Sequence, residues 1–157
     1  MASTALGALI ALVATMLNER VKWRREQVSN RRKQCHETYV SFMSALSEAH
    51  ERMRAEAVSP EHDGQARALA VREAFLAANC YPLRYQLAIV AGQEVVDGAE
   101  AVFQTVRDIR DLLAVGGAIG SEEYKVLRRR FGAGMRELQR RMRDELGVGP
   151  VKLVGGS

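Results

Sequence analysis

Apolar residues recur along most of this chain in steps of three and four, and no stretch alternates strictly. That pattern predicts helices throughout and no sheet. The clearest run is Val95, Ala99, Val102, Val106, Ile109 and Leu113, which steps by 4, 3, 4, 3 and 4. Gly116-Gly117 follow it and tolerate the left-handed geometry of a helix end. Ala118 to Gly120 reads as a short loop. Ser121 then stands as an N-cap, with Glu122 and Glu123 placed to complement the dipole of the first turn. The helix that it opens carries Tyr124, Leu127, Phe131, Met135, Leu138, Met142 and Leu146 on one side, and Gly147 to Pro150 stop it.

Upstream, Tyr39, Phe42, Leu46, Ala49 and Met53 form a stripe at coiled-coil spacing. Neither Gly nor Pro interrupts residues 19–57, so one long helix is predicted there. Val58 to Gly64 is the first break. A second helix from about Gln65 places Ala68, Val71, Phe75 and Ala78 on one face. Pro82 disfavours α geometry at Tyr81 and removes a ladder donor. A kink is therefore expected at Asn79 to Pro82, before helix resumes through Leu83, Leu87 and Val90. Four amphipathic helices with short connections predict an all-α, antiparallel up-down four-helix bundle.

The first residues break this pattern. Ala2 to Leu17 is uncharged and mostly apolar, and Arg20, Lys22, Arg24 and Arg25 follow it. A signal peptide carries its positive charge before the apolar core and a small-residue cleavage site after it. Here the charge follows, and Met16 to Glu19 is no such site. A soluble N-terminal helix that packs on the bundle or on a second copy is an alternative, since alanine favours helix. The reading kept is a membrane span. Met1 to Leu17 just reaches the lower length limit of about 17 residues, or about 25 Å of helix. Snorkelling of Arg20 and Lys22 extends it. Ser3, Gly7, Ala11 and Thr15 fall four apart on one face, a small-residue stripe that favours self-association in lipid. The one-sided basic collar then puts the N-terminus outside and the body in the cytoplasm.

These signals divide the chain into an anchor over 1–18, a basic juxtamembrane stalk over 19–34, a bundle over 35–147 and a tail over 148–157. Trp23 is placed as an interfacial anchor in the stalk. At 157 residues, 47% apolar and 27% charged, the chain has room for one folded domain. The net charge of +4 is modest, but residues 20–33 hold seven Lys/Arg, and residues 125–143 hold eight against one Glu. Two cysteines, Cys35 and Cys80, make no disulfide framework and no CxxC. A Cys35–Cys80 bridge is disfavoured in the reducing cytosol that the orientation implies.

Little in the chain points to catalysis. Cys35-His36 are neighbours on a helix and point about 100° apart, a poor pair of metal ligands. With His50 and His62 they read as surface polar residues. Glu94, Asp97 and Glu100 lie near a helix start, where acidic residues complement the dipole, and no Glu-x-x-His motif joins them. Phe131-Gly132-Ala133-Gly134 lacks the Lys-Ser/Thr of a phosphate loop. Its glycines suit either close approach of another helix or a local loosening of their own.

The segments Arg31–Ala49, Leu83–Phe103 and Ser121–Gly147 together make this chain resemble small membrane-anchored helical proteins of actinobacteria. The resemblance covers most of the chain, implies the same architecture and supplies no activity. The expectation is a non-enzymatic membrane-anchored adaptor or scaffold without a cofactor. It would contact a protein partner or anionic lipid through Arg20, Lys22, Trp23, Arg24, Arg25, Arg128, Arg129, Arg130, Arg136 and Arg140. The alternative is a soluble nucleic-acid-binding helical module whose N-terminal helix mediates self-association. No recognition fold supports that alternative, and Tyr124 and Phe131 fall on the core stripe.

Overall fold

The described residues form five helices: α1 (Ser3–Val58), α2 (Gly64–Ala77), α3 (Cys80–Val90), α4 (Gln93–Ala114) and α5 (Glu122–Glu145). The computed structural model describes the backbone of residues 3–149 and the side chains of residues 22, 23 and 26–149. Among the described residues there is no strand, and no helix is long and apolar enough to cross a membrane. The apolar run reaches spanning length only with Met1 and Ala2 counted, and both lie outside the described residues. The side chains of Ser3, Gly7, Ala11, Thr15, Arg20, Arg24 and Arg25 lie outside them too, as does the tail beyond Gly149.

The chain divides into two compact units, residues 1–34 and 35–157. In the first, Lys22, Trp23 and all of residues 26–34 are exposed. The second holds the core. Tyr39, Phe42, Leu46, Ala49 and Met53 are buried along α1, and every member of the Val95 to Leu113 stripe is buried along α4. Tyr124, Phe131, Leu138 and Met142 are buried on α5, while Leu127, Met135 and Leu146 pack against the core half-buried.

Helices α4 and α5 form an antiparallel hairpin whose partners can be followed along its length. Glu145 meets Gly92, Arg141 reaches the Glu94 carbonyl, and Asp108 faces Arg130. Two glycines face the opposite helix in this hairpin. A Cβ on Gly134 would stand 2.9 Å from Val102 Cγ2, and one on Gly98 would stand 3.2 Å from Arg141 Cδ. Gly134 is thus a point of close helix approach, one of the two uses its sequence context allowed.

The helix ends follow from local chemistry. Ser121 Oγ accepts the Tyr124 N–H at 3.2 Å, the N-cap bond expected of it. At the other end of the loop Gly116 adopts φ 93°, and Gly117 N–H returns to the Leu112 carbonyl at 2.9 Å. This is a Schellman end, and a side chain at Gly116 would be strained there. Gly92, the N-cap of α4, has no side chain to cap with. The Glu145 carboxylate does this instead, accepting Gly92 N–H at 2.9 and 3.1 Å, and its charge complements the dipole.

One expected element differs. The interruption expected at Asn79 to Pro82 falls there, but as a full break at Asn79 and not a kink, so the described residues form α2 and α3 in place of one kinked helix. Asn79 takes left-handed geometry at φ 56°, which its short polar side chain tolerates better than most. Pro82 then falls in the first turn of α3, where its missing N–H would have had no intrahelical partner.

Candidate functional site

Lys125, Arg128, Arg129, Gly132, Ala133 and Arg136 recur at helical spacing along α5 and share one side of it. They line a shallow, open groove of about 550 Å³. The buried residues of α5 lie on another side, so this groove looks into solvent. Gly132 and Ala133 are its small residues, and the Arg136 guanidinium lies over Gly132, with Nη1 3.6 Å from where a Cβ would stand.

Ion pairing separates the basic residues of α5 into two groups. Arg140 is bonded to Glu137 at 2.6 Å and to Asp144 at 2.7 Å, and Arg141 reaches Glu137 at 2.9 Å. Those two guanidinium groups donate to the Glu137 carboxylate and hold its pKa down at about 2. Arg130 lies 3.7 Å from Asp108, and Lys125 lies 2.7 Å from Glu122. Arg128, Arg129 and Arg136 are exposed and have no ion pair or hydrogen bond with the described residues. Of the proposed contact residues on α5, then, these three carry uncompensated charge. Arg140 spends its charge within its own helix.

Of the other proposed contact residues, Lys22 and Trp23 are exposed, Trp23 at 68%. Arg20, Arg24 and Arg25 have no described side chains. The acidic trio near the start of α4 does not converge. Asp97 accepts from Gln93, and Glu100 pairs with Arg84 at 2.6 Å. Among the described residues no group of three His, Cys, Asp or Glu is arranged to hold a metal.

On the buried side of α5 lies a polar pair that sequence reasoning missed. His50 is only 5% exposed, so it is no surface residue. Its Nε2 is 3.1 Å from Tyr124 Oη, and its ring stacks on Phe131 at 4.9 Å between centroids. Its Nδ1 lies 3.4 Å from Glu51 Oε1. A carboxylate beside Nδ1 calls for the proton there, which leaves Nε2 to accept from the Tyr124 hydroxyl. Burial pushes the His50 pKa below its usual value, and the cations Arg54 and Arg128 act in the same sense, while Glu51 opposes them. One signal was available: His50 lies four residues after Leu46 and three before Met53, in step with the stripe.

The cysteines are also interior. Both are free and buried, so the bridge is not formed, and neither Cys35 nor Cys80 is a surface group. Cys35 Sγ donates to the Val90 carbonyl and Cys80 Sγ to that of Ala45, each at 3.4 Å. Burial lifts the Cys80 thiol to about 11, which leaves it an unreactive core residue. Tyr39 Oη is buried near Cys35 and Glu145 yet bonds neither in good geometry.

No family model, curated protein or solved structure matches this chain, so its functional reading rests on its own side chains.

Proposed function

We propose that this chain is a non-enzymatic, membrane-anchored adaptor or scaffold. Its N-terminal segment holds the helical unit at the cytoplasmic face of a membrane, and the open face of α5 engages an anionic surface, either lipid or an acidic protein. One observation carries the contact: Arg128, Arg129 and Arg136 stand exposed and unpaired around one groove. Each cation near an anionic membrane gains about 1 kcal/mol. The anchor rests on the uncharged run to Leu17 and the basic collar after it. Its small-residue stripe, Ser3, Gly7, Ala11 and Thr15, suits pairing of two copies in the bilayer.

Carbonate extraction of membranes carrying the full chain tests the anchor. Retention in the pellet supports it, and release into the supernatant overturns it. Orientation needs a cysteine introduced at an exposed site such as Glu123→Cys, because Cys35 and Cys80 are buried and would escape any reagent. A thiol reagent that cannot cross membranes should miss that site in intact cells. Salt-sensitive nucleic acid on the purified protein would instead favour the nucleic-acid module.

A further inference from the structure

Two glycines stand two residues apart in α5, and only one has a packing reason. Gly134 faces Val102, where a Cβ would come within 2.9 Å. A Cβ on Gly132 would meet nothing closer than Arg136 Nη1, at 3.6 Å, an ordinary contact with the end of a flexible side chain. A glycine inside a helix costs about 1 kcal/mol relative to alanine. At Gly132 no neighbouring helix requires that cost. What its missing side chain does create is room in the groove among the cations.

We infer that the groove over Gly132 and Ala133, rimmed by Lys125, Arg128, Arg129 and Arg136, binds a terminal phosphate monoester. The inference rests on the reading of this α5 face as the anion-contacting surface, and it adds a ligand class and a shape requirement. Three guanidinium groups without partners offer planar forks that match phosphate oxygens, which an ammonium does not. A terminal monoester carries about 1.5 to 2 negative charges and three acceptor oxygens. It is small enough at its free end to reach the Arg136 guanidinium, whose Nη1 lies 3.6 Å from where a Gly132 Cβ would stand. A phosphodiester has one charge and a substituent on each side, so it meets the rim arginines only from above. A volume of about 550 Å³ also accommodates the carbon skeleton next to the phosphate. Phosphatidic acid and soluble phosphate esters share this chemistry.

The test titrates the full chain, purified in detergent, with three probes: dihexanoyl phosphatidic acid, dihexanoyl phosphatidylglycerol and glycerol 3-phosphate. Calorimetry is expected to show either monoester binding about tenfold or more tighter than the diester, the gain expected from charge-assisted forks. Comparing the two monoesters tells whether the lipid or the soluble ester is the better source. Charge alone favours a dianion, so Gly132→Leu decides the matter: it keeps every cation and fills the room over Gly132. It is expected to cut the preference for monoester to the part that charge alone gives, while helix content and melting temperature are maintained. A triple Arg→Lys variant at 128, 129 and 136, which keeps charge and removes the forks, should show the same reduction. Equal binding of monoester and diester, or an unchanged preference in Gly132→Leu, overturns the phosphate site. In that case salt-sensitive binding of phosphatidylglycerol would still leave the broader basic-face reading standing.

Discussion

His50 and Tyr124 are each other's hydrogen-bond partners inside the bundle, Nε2 to Oη at 3.1 Å, with both side chains buried. The pair joins α1 to α5. Tyr124→Phe removes the donor and leaves His50 Nε2 buried without a partner. The expected loss is about 1–3 kcal/mol in a urea titration. His50→Leu with Tyr124→Phe should cost less than the sum of the single changes, because no polar atom is then orphaned. Strict additivity would mean that the two do not interact.

The same pair gives stability a defined pH dependence. Burial lowers the His50 pKa below 6.5, so the unfolded chain takes up this proton more readily than the folded one. The contribution is complete above pH 6.5 and is lost as pH falls from there toward the folded value. Denaturant midpoints should therefore decline as pH falls below 6.5 in the parent, and decline less in His50→Leu. A second loss, below about pH 4.5, belongs to Glu137, whose carboxyl is held at about 2 by Arg140 and Arg141. Parallel curves for parent and His50→Leu would count against the first of these.

Gly134 and Gly132 should respond in opposite directions to alanine. At Gly134 the added methyl meets Val102 Cγ2 at 2.9 Å, and overpacking of this kind costs about 1–3 kcal/mol. Val102→Ala in the same chain should recover part of that loss. At Gly132 the methyl is unopposed, and stability should rise by roughly 0.5–1 kcal/mol. Thermal melts of the two single variants separate these outcomes, and equal shifts would contradict the packing.

How much of this was legible in the sequence depends on how many neighbours a helix has. The Val95 to Leu113 stripe read cleanly because that face of α4 is wholly buried. Phe103, beside the stripe, was not foreseen. It is buried by Phe75 and Tyr81, whose rings sit 6.0 and 5.2 Å from its own, because α4 is covered on a second side. His50 fits the spacing of its helix, but a titratable residue type argues for exposure, and only a tertiary partner such as Tyr124 reverses that. The interruption at Asn79 to Pro82 reads as a kink because Pro82 is the stronger local signal. Asn79 acts only through its own backbone geometry. In the candidate site, the basic stripe was plain from spacing. Its division into free and paired arginines was only partly so: the carboxylates three residues before Arg140 and four after it are visible in the sequence, whereas the pairing of Arg130 with Asp108 crosses from α5 to α4 and needs the fold.

Thiol labelling probes the interior. Cys35 and Cys80 are buried, each donating to a carbonyl, and burial raises the Cys80 thiol to about 11. Both should label only as fast as the bundle opens, and labelling should accelerate in urea together with loss of helix. Rapid modification of the native protein at neutral pH would contradict that burial.

Self-association is tested apart from insertion. Replacing Gly7 and Ala11 with Leu removes the small-residue stripe and makes the segment more apolar. A membrane dimerisation reporter should lose its signal while carbonate extraction stays unchanged. An undiminished signal would leave the segment as an anchor alone.

The most direct measurement concerns what the α5 face holds. The full chain and an R128E/R129E/R136E variant are extracted from the same membranes in mild detergent, and the lipids and proteins that copurify are quantified by mass spectrometry. All three arginines are exposed, so reversal should leave the fold and its melting temperature intact. The expected result is enrichment of anionic lipid or of an acidic protein on the parent over the bulk membrane, largely lost from the variant. The same copurifying set in the same amounts from both proteins would contradict the proposed role of this face.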